Sequence, residues 1–194
     1  MRDRLAVLMI TAAVAVLLSA CETSSTAGTG ETTAAPGSSK PALPPRPREI
    51  DLTGVDTCTL LTPEQQKQID TDTPPEFTKY LDRYGNRRCD YGKRLSSPRF
   101  GYQLKVVTQE DAAVYLTNER DAVARVVSAA GFPAVEARPP GDERGCFMFV
   151  STTGGQYLSI QYSESAGSND TTEVACEKAR VAAELAMQTL LRQR

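Results

Sequence analysis

Short stretches of alternating apolar and polar residues recur between residues 88 and 163. The clearest is Arg99–Thr108, where the apolar side chains fall two residues apart: Phe100, Tyr102, Leu104 and Val106. Because successive side chains of a strand point to opposite faces, this pattern predicts a strand with one buried face. Arg88–Tyr91 predicts a shorter strand before it.

The strongest predicted hairpin consists of Cys146–Ser151 and Gln156–Ser163. Gly154 and Gly155 separate the two strands and suit a tight turn. The two-residue period of a strand places Tyr157 and Tyr162 on opposite faces of the sheet.

Val123–Ala130 is compatible with two structures, a helix that continues from the preceding segment or a new strand. We favour the strand, which ends before Gly131-Phe132-Pro133. Pro133–Ala137 is then the next strand, and Arg138–Gly145 is a polar turn.

Two helices are predicted from their start signals. Thr62 and Gln65 have the spacing of a capping box, and Pro63 suits the first helical position. This helix is expected to run from Pro63 to Ile69. Thr108 and Asp111 resemble a second capping box, which predicts a helix from Gln109 to about Asp121.

The last predicted helix covers about Thr172–Leu191 and has one face of small and apolar residues. That face contains Cys176, Ala179, Ala183, Met187 and Leu190, with Ala175, Ala182 and Ala186 beside it. Such small side chains allow a helix to lie close to a sheet. The elements together predict an α+β fold, an antiparallel β-sheet with helices packed on it.

The start of the chain resembles a bacterial lipoprotein signal peptide, predicted over residues 1–20. Arg2 and Arg4 precede the apolar run Leu5–Ala20, which at sixteen residues is shorter than the about 20 of a transmembrane helix. The run ends in Leu18-Ser19-Ala20-Cys21. The alternative is an uncleaved signal anchor.

The resemblance to a lipoprotein signal implies cleavage before Cys21. This residue would then carry diacylglycerol on its sulfur and often a further acyl chain on its amino group. Two or more acyl chains hold a protein stably on a membrane. We therefore expect a lipid-anchored protein on the extracytoplasmic face of the cell membrane.

Residues 21–49 predict a disordered tether. They are rich in Ser, Thr, Gly, Ala and Pro and nearly lack large apolar side chains, so they bury too little surface to offset the entropy of ordering. Residues 50–194 have the length of a single domain with its own core.

Four cysteines remain when Cys21 is lipidated: Cys58, Cys89, Cys146 and Cys176. An even number of cysteines in an exported protein indicates disulfides, and four cysteines allow three pairings. We predict Cys58–Cys89 and Cys146–Cys176, which close loops of similar length (89 − 58 = 31 and 176 − 146 = 30). A redox pair or a zinc site is the alternative, but the cysteine spacing resembles neither.

Composition excludes several classes of function. The chain has no histidine, which removes Ser-His-Asp and Cys-His mechanisms and imidazole metal ligands. Phosphate-binding, dinucleotide-binding and nucleophile-elbow motifs are missing from the sequence, so we expect no cofactor and no metal. Removal of Arg2, Arg4 and Asp3 with the signal leaves 20 basic and 23 acidic residues, a net charge of −3, which argues against nucleic-acid binding.

Carboxylates are the only remaining candidates for catalysis, as an acid pair in a cell-wall hydrolase. Neighbouring acids occur in four places: Asp70 with Asp72, Asp82 with Asp90, Glu110 with Asp111, and Asp142 with Glu143. Carboxylates in polar loops and caps are usually solvated charges, so this hypothesis is weak.

A cluster of basic residues stands out in a protein of net negative charge. Between Asp82 and Arg99 six basic residues accompany only two acids: Arg83, Arg87, Arg88, Lys93, Arg94 and Arg99. Such a patch would suit an envelope polymer, a lipid headgroup or an acidic protein surface. A solubilising loop without a partner is the plainer interpretation.

The region Ile50–Arg194 resembles a family of actinobacterial envelope lipoproteins that share a domain of unknown function. The segments that carry this resemblance are Asp51–Pro63, Arg88–Tyr91, Gly131–Ala134, Gly155–Leu158 and Ala175–Arg180. None of them is a catalytic motif. At Asp90-Tyr91 the family more often has a tryptophan after the cysteine.

These observations favour a non-enzymatic, membrane-tethered binding or interaction module. Its partner would be an envelope polymer, a lipid or another protein, contacted through the basic segment between residues 80 and 99. One alternative is a carrier of a lipid or other apolar ligand, which would need a large dry cavity. The other alternative is the carboxylate-dependent hydrolase.

Overall fold

The structure, a computed structural model, describes residues 41–142, 144–166 and 170–194. It contains two α-helices, α1 (Pro63–Gln68) and α2 (Thr172–Gln193), and two 3₁₀ helices, Thr57–Thr59 and Ala112–Leu116. The strands are β1 Glu76–Phe77, β2 Arg88–Lys93, β3 Arg99–Val107, β4 Val123–Ala129, β5 Phe132–Arg138, β6 Gly145–Thr153 and β7 Gln156–Ala166. The predicted signal peptide, Cys21, most of the predicted tether and Glu143 lie outside the described residues.

The seven strands form one antiparallel sheet in the order β1-β2-β3-β7-β6-β5-β4. The β6–β7 hairpin lies near its centre and turns at Gly155, whose φ of 74° is in the left-handed region. The prediction of a strand over Val123–Ala130 is confirmed. This strand turns into β5 through Ala130 and Gly131, both with positive φ, as a two-residue hairpin of type I′ requires.

Helix α2 covers one face of the sheet with the side chains that its sequence pattern predicts. Ala179, Ala183, Met187 and Leu190 are fully buried. They pack against inward side chains of the central strands, among them Leu104, Met148, Val150, Leu158 and Ile160. Because the helix presents mainly alanines, it packs closely on the sheet and forms the main core.

Helix α1 begins as predicted. Thr62 Oγ1 accepts a hydrogen bond from the Gln65 backbone amide, and Gln65 Oε1 accepts one from the Thr62 amide. The Gln65 side chain also donates to the Leu185 carbonyl at 2.9 Å and accepts from Thr189 Oγ1 at 2.9 Å. The capping residue therefore also joins α1 to α2.

Both predicted disulfides are present. Cys58 is bonded to Cys89, which ties the first 3₁₀ helix to β2. Cys146 is bonded to Cys176, which ties β6 to the first half of α2. All four cysteines belong to or pack against the main core beneath α2.

The described end of the predicted tether lies against the sheet. Ile50 and Leu52 are buried in the main core, whereas Leu43 packs into a smaller apolar cluster on the opposite side of the sheet. Between Leu43 and Ile50, the Arg46 side chain donates a hydrogen bond to Ser151 Oγ at 2.9 Å. The Ile50 amide donates to the Thr152 carbonyl. The segment therefore passes from one face of the sheet to the other.

The predicted helix from Gln109 to Asp121 is wrong. Asp111 is a helix cap, accepting from the Ala113 amide, but the helix it starts is the five-residue 3₁₀ segment. Thr117 ends this segment in an extended conformation, and its hydroxyl bonds to the Val114 carbonyl and the Glu119 amide. Side-chain competition for backbone groups explains why the helix does not continue.

The expected antiparallel sheet with helices packed on it and two disulfides is therefore observed. The sheet dominates the regular structure, since α2 is the only long helix among the described residues. The strands have two unlike surfaces. We call the side packed by α2 the helix face and the opposite side the open face.

Candidate binding site on the open face

Strand pairing determines which side chains meet on the open face. Asp90, Gln103 and Gln161 are paired across β2, β3 and β7, and Arg88, Lys105 and Ser159 form the next row. All six alternate with core residues of the helix face. This part of the open face is therefore polar.

The β5–β6 side of the open face is apolar and covered. Val135, Ala137 and Phe149 are buried there. The second 3₁₀ helix lays Tyr115 flat on Phe149, with ring centroids 3.6 Å apart and nearly parallel planes. The short helix thus closes a second, smaller core.

Glu110 is the centre of a polar cluster between the covered and the polar side. Its Oε1 accepts a hydrogen bond from Tyr157 at 2.7 Å, and its Oε2 accepts from Tyr84 at 3.0 Å. Arg120 at 2.5 Å and Arg83 at 3.1 Å also donate to Oε2. We call these five residues the Glu110 cluster.

The electrostatics of the Glu110 cluster favour the ionised form of the Glu110 carboxylate. Burial alone would raise the pKa of Glu110, but the hydrogen bonds from Tyr157 and Tyr84 and the two arginines together lower it. Burial and the bond to Tyr115 raise the pKa of Tyr157. An ionised carboxylate with four donors has little capacity left to bind a ligand or move a proton, so we interpret this cluster as a structural anchor.

The Glu110 cluster holds the loop between β1 and β2 against the sheet. Within that loop Asp82 accepts hydrogen bonds from Lys105 at 2.9 Å and from the Tyr84 and Asn86 amides. Two large side chains of the loop, Tyr80 and Leu81, remain exposed.

A shallow groove opens at the other end of the polar side. Gly101 and Ser163 lie in its floor, and strand pairing continues their row to Gly92 on one side and Gly145 on the other. Only the middle of the row opens into the groove, because the Arg94 side chain covers Gly92 and Asp142 Oδ2 would lie 3.2 Å from a Cβ added at Gly145. The groove has a volume of about 320 Å³, and its lining includes Gln103 and Ser165.

Two arginines border the groove without an acidic partner. Arg94 and Arg99 are exposed, and within the described part of the chain neither makes an ion pair or a side-chain hydrogen bond. The Arg94 side chain lies over Gly92, where an added Cβ would be 2.7 Å from Arg94 Nε. We call this region the arginine groove.

Asp90 is the acid nearest to the arginine groove. Its Oδ1 lies 3.5 Å from Arg88 Nε, and neither atom has a hydrogen-bond partner. Burial raises the pKa of Asp90 against the opposing charges of Arg88 and Arg94. Arg88 is the ion-pair partner of Asp90, whereas Arg94 and Arg99 make no ion pair among the described residues.

Comparison with protein families identifies the family to which the chain belongs. A family described as "Protein of unknown function (DUF3558)" matches residues 16–189. The chain belongs to this family. No curated protein and no solved structure matches it. No helix in residues 41–142, 144–166 or 170–194 has the length and apolar character needed to cross a membrane.

The DUF3558 fold divides the six basic residues predicted as an interaction patch. Arg83 belongs to the Glu110 cluster, and Arg87 lies over the Phe77 ring, 4.5 Å from its centroid. Lys93 pairs with Asp70 on the side of the helix face. Arg94 and Arg99 border the arginine groove, and Arg88 lies beside it against Asp90.

The acids considered for catalysis have separate structural partners in this DUF3558 domain. Asp72 accepts hydrogen bonds from the amides of Arg94, Leu95 and Ser96. Asp111 caps the 3₁₀ helix, while its neighbour Glu110 is held in its own cluster. Asp142 accepts from the Arg144 amide.

The remaining candidate for a metal site is a group of three residues. Carboxylate and sulfur atoms of Glu136, Cys146 and Cys176 lie within 4.8 Å of one another. The two sulfurs are joined in a disulfide, so neither is the thiolate that metal binding requires. We assign these cysteines a structural role.

Proposed function

We propose that this protein is a non-enzymatic binding module of the cell envelope that holds an anionic ligand in the arginine groove. The observation that carries the proposal is the pair Arg94 and Arg99, two exposed cations that make no ion pair among the described residues and that border a groove with Gly101 in its floor. Guanidinium groups bind carboxylate and phosphate oxygens through two parallel hydrogen bonds.

The rest of the groove supports an extended, hydroxylated ligand. Ser163, Ser165 and Gln103 supply neutral donors and acceptors beside the arginines. Gly101 lets a ligand approach the sheet backbone closely at β3. A flat floor of this kind suits a polymer chain carrying acidic groups better than a compact molecule that needs an enclosing pocket.

The proposal of a non-enzymatic role is supported by the state of the acids. Glu110, which is largely buried, accepts four hydrogen bonds. A general acid or base needs a raised or intermediate pKa and access to the substrate, whereas the pKa of Glu110 is lowered. Asp90 has a raised pKa, to which the opposite residue Glu76 contributes, but Glu76 is exposed on the edge strand β1, whereas a hydrolase needs its two acids on either side of a bound substrate.

The proposed location follows from the N-terminal sequence. Lipidation at Cys21 would attach the protein to the outer face of the cell membrane, where anionic polymers and lipids are accessible. Both disulfides fit an oxidising compartment of this kind.

Binding to defined anions tests the groove. The protein with Arg94→Ser and Arg99→Ser together is compared with wild type for binding to polygalacturonate, inorganic polyphosphate and vesicles containing phosphatidylglycerol. We expect the double variant to bind at least one probe about tenfold more weakly or worse, because two charge-assisted contacts are lost. The arms distinguish a carboxylate polymer, a phosphate polymer and a lipid headgroup.

The matched control is Arg48→Ser with Arg194→Ser. These arginines are exposed, bond only to backbone carbonyls, and change the net charge by the same amount. Equal weakening in both double variants would mean that general charge, not the groove, drives binding. Failure of wild type to bind any probe, or to be retained on purified envelope, would remove the proposal.

A further inference from the structure

The outer strand β4 leaves one edge of the sheet uncovered. It is the last strand in the sheet order and pairs only with β5 within the described residues. Edge strands are usually protected by charges, proline, bulges or short length. β4 has seven residues in regular register, and its only charged side chain, Arg125, is bound to Glu136 at 2.7 Å.

Hairpin geometry determines which backbone groups face outward from this edge. In a two-residue hairpin the pair beside the turn, here Ala129 and Phe132, is hydrogen-bonded, and such pairs then alternate along the ladder. Ser128 is thereby opposite Pro133 in a non-bonded pair, which agrees with the missing proline N–H. The outward-facing amides and carbonyls are those of Ala124, Val126 and Ser128.

The side chains of the edge are apolar and exposed. Val123 and Val126 are 52% and 44% exposed, two of the few large apolar side chains in the described residues that are not buried. An uncovered strand with exposed valines favours addition of another strand.

We propose that β4 is the interface of a two-fold symmetric homodimer, in which β4 of one copy pairs with β4 of a second copy in antiparallel direction. The opposite edge of the sheet, β1, has only two residues. A head-to-tail contact between β4 and β1 would therefore leave most of β4 unpaired. Of the two outer strands of the described sheet, only β4 is long enough to pair with the whole of another β4.

Charge and hydrogen bonding select one register. A two-fold axis through Arg125 would place two arginines directly opposite each other, which is destabilising. An axis through Val127 would move Ala124 opposite the turn residue Ala130. An axis through Val126 pairs Val126 with itself and Ala124 with Ser128, so all three outward-facing residues form hydrogen bonds and Arg125 faces Val127.

Cysteine pairs test this register in the full-length protein. Arg125→Cys and Val127→Cys variants with different tags are produced together, and the envelope fraction is oxidised. In the proposed register these residues form a non-bonded pair with Cα atoms about 4.5 Å apart, which is within disulfide range. We expect the mixed dimer to exceed either same-variant dimer several-fold and to exceed the background of Leu95→Cys, an exposed control.

Other products of this experiment overturn the proposal. Predominant Arg125→Cys homodimers would show another register, and crosslinks to a different protein would show a different partner. Absence of crosslinks above the Leu95→Cys background would show that the edge is free.

A charge on the axis gives a second measurement. Val126→Lys places two like charges opposite each other, so we expect the dimerisation constant measured by sedimentation velocity to weaken by about tenfold or more. Val174→Lys is the control, because Val174 is 41% exposed on α2. Equal sedimentation of wild type and both variants overturns the proposal, and should Val126→Lys not fold, the cysteine result decides alone.

Discussion

The two faces of the sheet divide stability from surface chemistry. The helix face is closed by α2 and holds most of the buried apolar side chains and both disulfides. The open face has a small covered core on one side and polar rows on the other. Because adjacent residues of a strand face opposite sides, each strand serves both purposes within one segment.

The polar side of the open face is maintained by charge and hydrogen bonds more than by apolar burial. The Glu110 cluster connects the β1–β2 loop, the segment before the 3₁₀ helix and β7. A fold stabilised mainly from one side can tolerate glycines and unpaired arginines on the other. The stability contributed by the helix face therefore allows the arginine groove to contain residues that add little to stability themselves.

Substitution of neighbouring residues on β7 gives the largest expected difference between the faces. Leu158 is fully buried on the helix face, whereas Ser159 points to the open face. Leu158→Ala should lower the free energy of unfolding by about 2–5 kcal/mol through lost burial and the resulting cavity. Ser159→Ala should change it by less than about 1 kcal/mol.

Urea unfolding with the disulfides intact measures both β7 variants. Equal losses in Leu158→Ala and Ser159→Ala would contradict the division between the faces. A change in the urea dependence itself would indicate an altered denatured state, and that variant would be replaced by Ile160→Ala, which removes a fully buried residue of the same face.

The second expected effect concerns the anchor of the open face. Glu110→Gln keeps the size of the side chain but removes its charge and replaces one acceptor by a donor. Arg83, Arg120 and the two tyrosines then lose charge-assisted bonds. We expect a loss of about 1–3 kcal/mol in the free energy of unfolding at pH 7.

Asp111→Asn is the control for Glu110→Gln, because it neutralises the adjacent acid and still allows the cap to the Ala113 amide. Hydrogen exchange should additionally show faster exchange of the β1–β2 loop amides in Glu110→Gln only. Unchanged exchange in that loop would mean that Glu110 does not anchor it.

Local pattern predicted the helix face well and the open face poorly. Apolar spacing in β3 and α2 is visible in adjacent residues, so the strands, the last helix and its buried alanines could be inferred from the sequence. The capping box at Thr62 was likewise confirmed because its signal lies within four residues. The same type of signal failed at Thr108, where Thr117 ends the segment before an α-helix can form.

The open face depends on register between distant strands, which the sequence does not display. Gly92, Gly101 and Gly145 fall in one row only through the pairing of β2, β3, β7 and β6. Arg83 and Arg94 belong to the same basic cluster in sequence, yet one joins Glu110 and the other the groove. The alternation in β3 places Gly101 between two core residues and therefore on the open face. It does not show which residues of β2 and β7 lie beside Gly101.

The smallest predicted effect separates Asp90 and Glu110, the two partly buried acids of the open face. Burial raises the pKa of Asp90 from its ordinary value of 3.8. Between that value and the raised one the folded state binds more protons than the unfolded state, so stability falls as the pH rises. Asp90→Asn removes this cost, and we expect it to raise the free energy of unfolding at pH 7 by less than Glu110→Gln lowers it.

Acid titration of the two variants tests the sign of both pKa shifts. The lowered pKa of Glu110 gives stability that is complete above the ordinary glutamate pKa of 4.5 and is lost as the pH falls through the folded-state value. Relative to wild type, Glu110→Gln should therefore be less stable at pH 7 and Asp90→Asn more stable, with both differences shrinking in acid. A loss of stability in Asp90→Asn at pH 7 would show that its contact with Arg88 outweighs burial, and the Arg88–Asp90 pair beside the groove would then stabilise the fold.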